Sequence, residues 1–228
     1  MKKIYLLIIP IILISCNTSR KIAYQTDGIS TVSNTIPISV CIKELEDIRQ
    51  LDSANLLLFE KERQIRHEKK SICINSEKHY KKETVALQIT QQITNHFNQI
   101  KLFDEVIFND ESQADYYITG KLSHFYGMQN FSMKALVGSQ FGLVGALMTS
   151  GVKTPAEIVI EIKDIALYDK GGNLVKEIGD YRKEYSEELH ADGHCWCIYE
   201  NINRKFKEFN DGLAEKINSE LSGMNFSN

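Results

Sequence analysis

The carboxy-terminal end of the chain carries the strongest periodic pattern in the sequence. Apolar residues recur there every three or four positions, at Ile198, Ile202, Phe206, Phe209, Leu213, Ile217 and Leu221. That spacing predicts an α-helix of about six turns with one apolar stripe. Because such a stripe is stable only when it is buried, the helix must pack against a sheet or a second helix.

The preceding sequence supplies both kinds of element. A second stripe of helical period spans residues 83–100, and a hairpin signal, "KGGN", separates two of the alternating segments. Strands are predicted at residues 36–42, 102–108, 114–127, 157–169 and 173–185, with a short return strand at 71–74. We therefore predict an α+β fold for a single domain at 36–228. Its mainly antiparallel sheet, in the order β-α-β-β-β-β-α, carries two helices packed on one face.

The amino terminus has the pattern of an export signal. Lys2 and Lys3 precede an apolar run at residues 4–14, which is shorter than the roughly 20 residues needed to span a bilayer. The run ends in Leu-Ile-Ser-Cys, which resembles the bacterial lipobox. That resemblance implies that residues 1–15 are removed and that Cys16 is acylated and held in membrane lipid. The alternative is an ordinary secretory signal with an incidental cysteine.

Residues beyond Cys16 bear on location and partners. Asn17 rather than aspartate follows the cysteine, which by analogy favours the outer membrane, and residues 16–35 form a polar stretch that we interpret as a flexible tether. The 27 basic and 30 acidic residues give a formal charge of −3, which argues against nucleic acid as a partner. The sequence holds no G-x-S-x-G, H-E-x-x-H or phosphate-loop motif. We expect no cofactor and no enzymatic activity.

One uncharged stretch interrupts the strand pattern. Residues 135–152 are apolar and glycine-rich and lie between Lys134 and Lys153. We interpret the stretch as a buried or sheet-covering insert. The alternatives are a surface that docks on a membrane or partner, and a true span of marginal length.

Four cysteines remain after Cys16, and an oxidising compartment favours disulfides between them. The candidates are Cys41, Cys73, Cys195 and Cys197. Cys41 is predicted to lie on the strand face opposite Ile38 and Val40, towards solvent or a covering loop. The alternative is a metal site, because His190, His194, Cys195 and Cys197 together offer the two nitrogens and two sulfurs that suit zinc. Their compact spacing favours a structural corner at the start of the last helix.

The element order and three short phrases resemble the auxiliary lipoproteins of ABC-type transporters. The matching positions are Asp47 and Arg49 after the first strand, Ala114, Asp115, Tyr117, Gly120 and Leu122 in the middle strand, and Asp169, Gly172 and Leu174 in the hairpin. The same layout is similar to that of other envelope lipoproteins, including activators of peptidoglycan synthases and the Tol-system amino-terminal domain. The resemblance implies a non-catalytic accessory that hangs from the outer membrane into the periplasm and docks on an envelope protein of a transport machine.

Aromatic residues of the middle strand are the predicted contacts with that envelope partner. They are Tyr116, Tyr117, His124, Phe125 and Tyr126, with packing in the core as the alternative for each. We place His124 on the face of Tyr116, Ile118 and Leu122, as a half-buried, hydrogen-bonded residue rather than a catalyst. Direct lipid binding by residues 135–152 and exposure on the cell surface are the alternative roles of the lipoprotein.

Overall fold

The computed structural model describes residues 22, 32, 34–49, 70–71, 83–130, 151–190 and 196–226. Within these ranges the chain forms two α-helices and a seven-stranded sheet. The strands are β1 (Ile36–Ile42), β2 (Glu46–Asp47), β3 (Lys70–Ser71), β4 (Phe103–Phe108), β5 (Tyr116–Asn130), β6 (Lys153–Asp169) and β7 (Leu174–His190). The helices are α1 (Val85–Ile100) and α2 (Trp196–Leu221).

The predicted α+β class and the order of the main elements are confirmed, and the sheet is mixed. Its main strands lie in the order β4-β1-β5-β6-β7, with β2 and β3 also paired to β5. β5, β6 and β7 are antiparallel, whereas β1 is parallel to both of its neighbours. The parallel part arises because the chain returns through α1 before it enters β4, and a crossover of this kind joins strands that run in the same direction.

Helix α1 forms where the sequence provides both a cap and an apolar stripe. Thr84 is extended, and its side chain accepts a hydrogen bond from the Leu87 amide at 3.1 Å, which satisfies one of the free donors of the first turn. The helix ends at Lys101, which takes a left-handed conformation with φ of 55°. Ile89, Ile93 and Phe97 are buried towards the sheet, as their spacing predicts.

Helix α2 lies beside α1 on the same face of the sheet. Phe206 is fully buried, and its ring meets that of Phe125 from β5 edge-on at 5.6 Å between centroids. The two helices meet where His96 Nε2 of α1 lies 3.1 Å from Asp211 Oδ1 of α2. The prediction that both helices pack on one sheet face is therefore confirmed, and we call this the helix face.

A register shift in β5 corrects the predicted facing of His124. The pairing with β6 is irregular between Leu122 and His124, and an irregularity of this kind reverses the alternation of the residues that follow it. Phe125 therefore points into the core with 2% of its surface exposed. His124 turns to the opposite face and contacts Tyr126 there at 5.7 Å between ring centroids.

Cys41 lies on the predicted face of β1, and of its two predicted surroundings the solvent-exposed one is excluded. It lies opposite Val40 in the alternation of β1, as predicted, but its side chain is buried rather than turned to solvent, and its thiol is free. Burial raises the pKa of this thiol. The Cys41 side chain therefore packs as a small buried residue. Its predicted disulfide partners Cys73, Cys195 and Cys197 have no described side chain.

Several predictions concern residues outside the described ranges. These are the signal at 1–15, Cys16, most of the tether at 16–35, the insert at 135–152 up to residue 150, Cys73, His194, Cys195 and the side chain of Cys197. Of the helices in the described part of the chain, none has both the length and the apolarity that crossing a membrane requires.

The His96 contact makes a prediction about pH. Burial lowers the pKa of His96 below its ordinary value of 6.5, and Asp211 opposes this shift without reversing it. The unfolded chain then binds a proton that the folded chain does not, so the free energy of unfolding should fall as the pH drops below 6.5. We expect His96→Gln to reduce that slope by up to about 1.4 kcal/mol per pH unit in urea denaturation.

His190→Gln is the matched control for this measurement, because His190 is an exposed histidine at the end of β7. It removes one histidine without altering the contact between His96 and Asp211, so the difference between the two variants isolates the effect of that contact. Some slope should persist in both variants because burial also lowers the pKa of His124. Equal slopes in His96→Gln and the wild type would contradict the assignment to His96.

Candidate functional site

The face of the sheet opposite the two described helices carries half-buried aromatic side chains and a set of charged groups, and we call it the outer face. Three of the predicted contact residues lie on it, namely Tyr117, His124 and Tyr126. The other two lie on the helix face: Phe125 packs on Phe206, and the ring of Tyr116 contacts Phe226 at 5.4 Å between centroids. The structure thus divides the predicted set between surface and core.

One part of the outer face is an aromatic ladder formed by Lys43, Tyr117 and Tyr168. Tyr117 of β5 pairs directly with Tyr168 of β6, and their rings stack at 5.3 Å with an angle of 11°. Lys43 Nζ lies 4.9 Å from the centre of the Tyr117 ring and 2.6 Å from Glu111 Oε1. Cation–π and cross-strand aromatic contacts both hold the ladder in one conformation.

Further along the same face lies a charged cluster centred on Glu161. Its Oε2 atom is 2.6 Å from Ser123 Oγ, 2.5 Å from His124 Nδ1 and 3.4 Å from Arg182 Nη1. Only 9% of the Glu161 side chain is exposed, against 35% for His124 and 39% for Arg182. Between the cluster and the ladder, Lys121 Nζ forms an ion pair with Asp164 Oδ2 at 3.0 Å.

The protonation states in the charged cluster follow from burial and neighbouring charge. Burial would raise the pKa of Glu161, but hydrogen bonds from Ser123 and His124 outweigh it and lower that pKa, so the carboxylate is ionised. Burial lowers the pKa of His124, and the bond to Glu161 only partly offsets this. At neutral pH the imidazole is therefore uncharged.

Serine, histidine and glutamate meet in this cluster, but their geometry is that of two hydrogen-bond donors around one ionised carboxylate. His124 Nδ1 faces the carboxylate of Glu161 at 2.5 Å and therefore carries the ring proton that it donates. The same nitrogen is 3.2 Å from Ser123 Oγ, and a protonated nitrogen cannot accept the serine proton. Ser123 instead donates to Glu161. The arrangement fixes charge at the surface rather than activating a nucleophile.

The positions that match the lipoprotein phrases have structural roles. Asp47 holds Arg49 through two hydrogen bonds, of 2.8 Å and 2.5 Å, and the Arg49 side chain is only 3% exposed. Gly120 lies where an added Cβ would approach Ile162 Cγ2 to 2.9 Å. In the β6–β7 hairpin, Gly172 takes φ of +83°, which favours glycine.

The metal alternative is not assembled by the described residues. His190 lies at the end of β7, and the other three proposed ligands have no described side chain. Within the described ranges, no group of three or more histidine, cysteine, aspartate or glutamate residues is arranged to hold a metal ion.

Sequence reasoning missed Tyr168, Glu161 and Arg182. Tyr168 and Glu161 belong to β6, which pairs with β5, and Arg182 belongs to β7, where it faces Glu161. The register of the three strands brings all three residues onto the outer face. Tyr168 falls directly opposite Tyr117. In the sequence these are one aromatic and two charged residues of regular strands. Only the pairing of the strands shows that they lie on the same face as the predicted residues.

Comparisons with known proteins place the chain among remote structural neighbours. No family model matches it, and no curated protein matches it. Of solved structures, it is similar to a Xanthomonas campestris protein of family DUF330, with 7% identity, a TM-score of 0.46 and coverage of 82% of this chain and 87% of that one.

Two further structures are similar at lower TM-scores. One is a putative neuraminyllactose-binding hemagglutinin homolog from Helicobacter pylori, with 10% identity, a TM-score of 0.35 and coverage of 86% and 90% of the two chains. The other is the PelC dodecamer from Paraburkholderia phytofirmans, with 8% identity, a TM-score of 0.33 and coverage of 86% and 96%.

Proposed function

We propose that this protein is a lipid-anchored accessory of the bacterial envelope that binds a protein partner through its outer face and catalyses no reaction. The observation that carries this proposal is the aromatic ladder beside the charged cluster on a sheet face that neither of the two described helices covers. Ordered tyrosines and arginines are favoured anchors at protein interfaces because they lose little entropy on binding.

Anchoring is supported by the sequence before the domain. The apolar run at residues 4–14 and the cysteine at position 16 fit a signal that is removed and replaced by acyl chains at Cys16. Residues 16–35 then connect Cys16 to β1, which begins at Ile36. A domain held in this way by the outer membrane reaches periplasm-facing components of a transport machine without crossing the membrane itself.

The outer face fits a protein partner better than a small substrate. The ladder and the cluster lie along neighbouring strands, and both signs of charge are present through Lys43, Lys121, Arg182, Glu161 and Asp164. A mixed-charge surface of this kind selects a partner by complementary charge. The aromatic rings supply apolar contact area.

The test is photo-cross-linking in intact cells. A photoreactive amino acid in place of Thr119, which lies on the outer face beside Tyr117, should capture a specific envelope protein. Tyr117→Ala in the same chain should reduce the yield several-fold, since the ladder loses its central ring. The product should be identified by mass spectrometry.

The control places the same photoreactive group at Glu215, an exposed position of α2 on the helix face. That position should not capture the same protein. Identical products from both positions, or no product from Thr119 above background, would contradict a docking role of the outer face.

A further inference from the structure

We propose that the edge strand β7 is an interface between two copies of this chain, paired antiparallel about a two-fold axis through Tyr185. The outer edge of a sheet presents unpaired amide and carbonyl groups that another strand can use. The main path of this sheet has two such edges, β4 and β7. The two edges differ in whether a described side chain already bonds to their backbone groups.

The β4 edge is closed by a side chain. Asn98 of α1 donates from Nδ2 to the Val106 carbonyl at 2.8 Å, and its Oδ1 accepts from the Val106 amide at 3.2 Å. One asparagine thus satisfies both backbone groups at the centre of a six-residue strand. A second strand cannot pair there without displacing it.

The β7 edge is long, and its stretch from Leu174 to Glu188 has no described strand on its outer side. β7 runs from Leu174 to His190 and pairs with β6 along one side, and no described strand pairs with its other side. Charged residues are common on edge strands, where they discourage association. Here their order along the strand makes the edge complementary to itself.

The sequence around Tyr185 places basic residues before the centre and acidic residues after it. When Tyr185 faces itself across the axis, Arg182 faces Glu188 of the second copy, Lys183 faces Glu187, and Glu184 faces Ser186. Directly opposite residues of an antiparallel pair share a face, so each opposite-charge pair contributes to stability. Symmetry produces every such pair twice.

Neighbouring registers are unfavourable by the same reasoning. In an antiparallel pair, two directly opposite residues are of the same kind, either hydrogen-bonded to each other or not, and the two kinds alternate along each strand. The two-fold axis of a symmetric pair must therefore pass through a residue position and not between two positions. An axis through Lys183 or Glu184 places that charge against itself. An axis through Ser186 places Glu184 against Glu188 of the second copy. Only the register centred on Tyr185 combines two kinds of opposite-charge pair with no like-charge pair between residues 182 and 188.

Both side-chain faces of β7 accept this register. Arg182 lies on the outer face, where its contacts to Glu161 and Glu184 leave 39% of the side chain exposed. Lys183 and Glu188 are exposed as well. Glu187 lies on the helix face, where Arg204 and Lys205 of α2 already pair with its carboxylate. The Arg182–Glu188 pair therefore contributes more to the complementarity than the Lys183–Glu187 pair.

The first test is sedimentation of the full-length chain in density-matched detergent over a range of concentrations. We expect a monomer–dimer equilibrium that Glu188→Lys weakens roughly tenfold, since two attractive pairs become repulsive. Glu177→Lys is the matched control, because Glu177 is an exposed β7 glutamate outside the self-paired stretch. It should leave the equilibrium unchanged.

The second test fixes the register. Arg182→Glu alone should also weaken the dimer, yet mixing it with Glu188→Lys should restore association, because each variant supplies the charge that the other one needs. If Arg182→Glu does not fold, hydrogen exchange of the wild type replaces it. Amides between residues 182 and 188 should then become more protected as the concentration rises.

Three results would overturn the proposal: a monomer at all concentrations, a dimer that Glu188→Lys leaves intact, or concentration-dependent protection confined to other strands. None of these results bears on lipid attachment at Cys16 or on partner capture from Thr119, so the interface and the proposed function are tested independently.

Discussion

Replacing Cys16 with alanine is expected to release the protein from the membrane fraction. A single acyl chain binds membranes only marginally, and stable anchoring takes two such signals, at about 0.8 kcal/mol per buried CH₂ group. The lipobox resemblance implies more acyl chains at Cys16 than that requirement. Their removal should therefore move nearly all of the protein to the soluble fraction. Incorporation of labelled palmitate should be lost in the same variant.

Cys41→Ala is the matched control, because it also removes a cysteine but one that is buried in β1. It should keep both the label and the membrane location. Retention of Cys16→Ala in the membrane without label would indicate that another segment holds the chain there. Residues 4–14, left uncleaved, and the insert at 135–152 are the segments to examine next.

The sequence predicts the elements of this fold well because each carries its own periodic signal. The stripe of α2 continues without interruption from Ile202 to Leu221, and the hairpin between β6 and β7 turns at Gly172, where the glycine-rich signal lies. These are local properties, since a single helix or turn needs only neighbouring residues to define it.

Strand direction and facing could not be predicted from local pattern in the same way. β1 has the same alternation whether its neighbours run parallel or antiparallel to it, so the sequence pattern does not distinguish a mixed sheet from an antiparallel one. The shift between Leu122 and His124 depends on how β5 meets β6. A one-residue irregularity was enough to exchange the facing of Phe125 and His124.

The candidate site was predicted only where its residues share one strand. Tyr117, His124 and Tyr126 all belong to β5 and are among the predicted contact residues, whereas Tyr168 and Glu161 come from β6 and are not. Tyr168 lies far from Tyr117 in sequence but stacks on it at 5.3 Å. A site assembled across strands requires the register, which is a property of the whole sheet.

Phe206→Ala is expected to be the most destabilising single substitution that we consider. Phe206 is fully buried and contacts both Phe125 of β5 and Phe209 of α2, at 5.6 Å and 6.1 Å between ring centroids. Removing a ring from such a position costs about 3–5 kcal/mol. For a chain of this size we expect the Tm to drop by about 10 °C or more in thermal denaturation.

Phe226→Ala tests whether the effect comes from the core or from aromatic packing in general. Phe226 is half-buried beyond the end of α2 and packs its ring on Tyr116, so its loss should cost less than about 1 kcal/mol. Similar losses from the two variants would contradict the central position of Phe206. A large loss from Phe206→Ala together with a small loss from Phe226→Ala would support a core centred where α2 packs on the sheet, because Phe206 is buried there between Phe125 and Phe209.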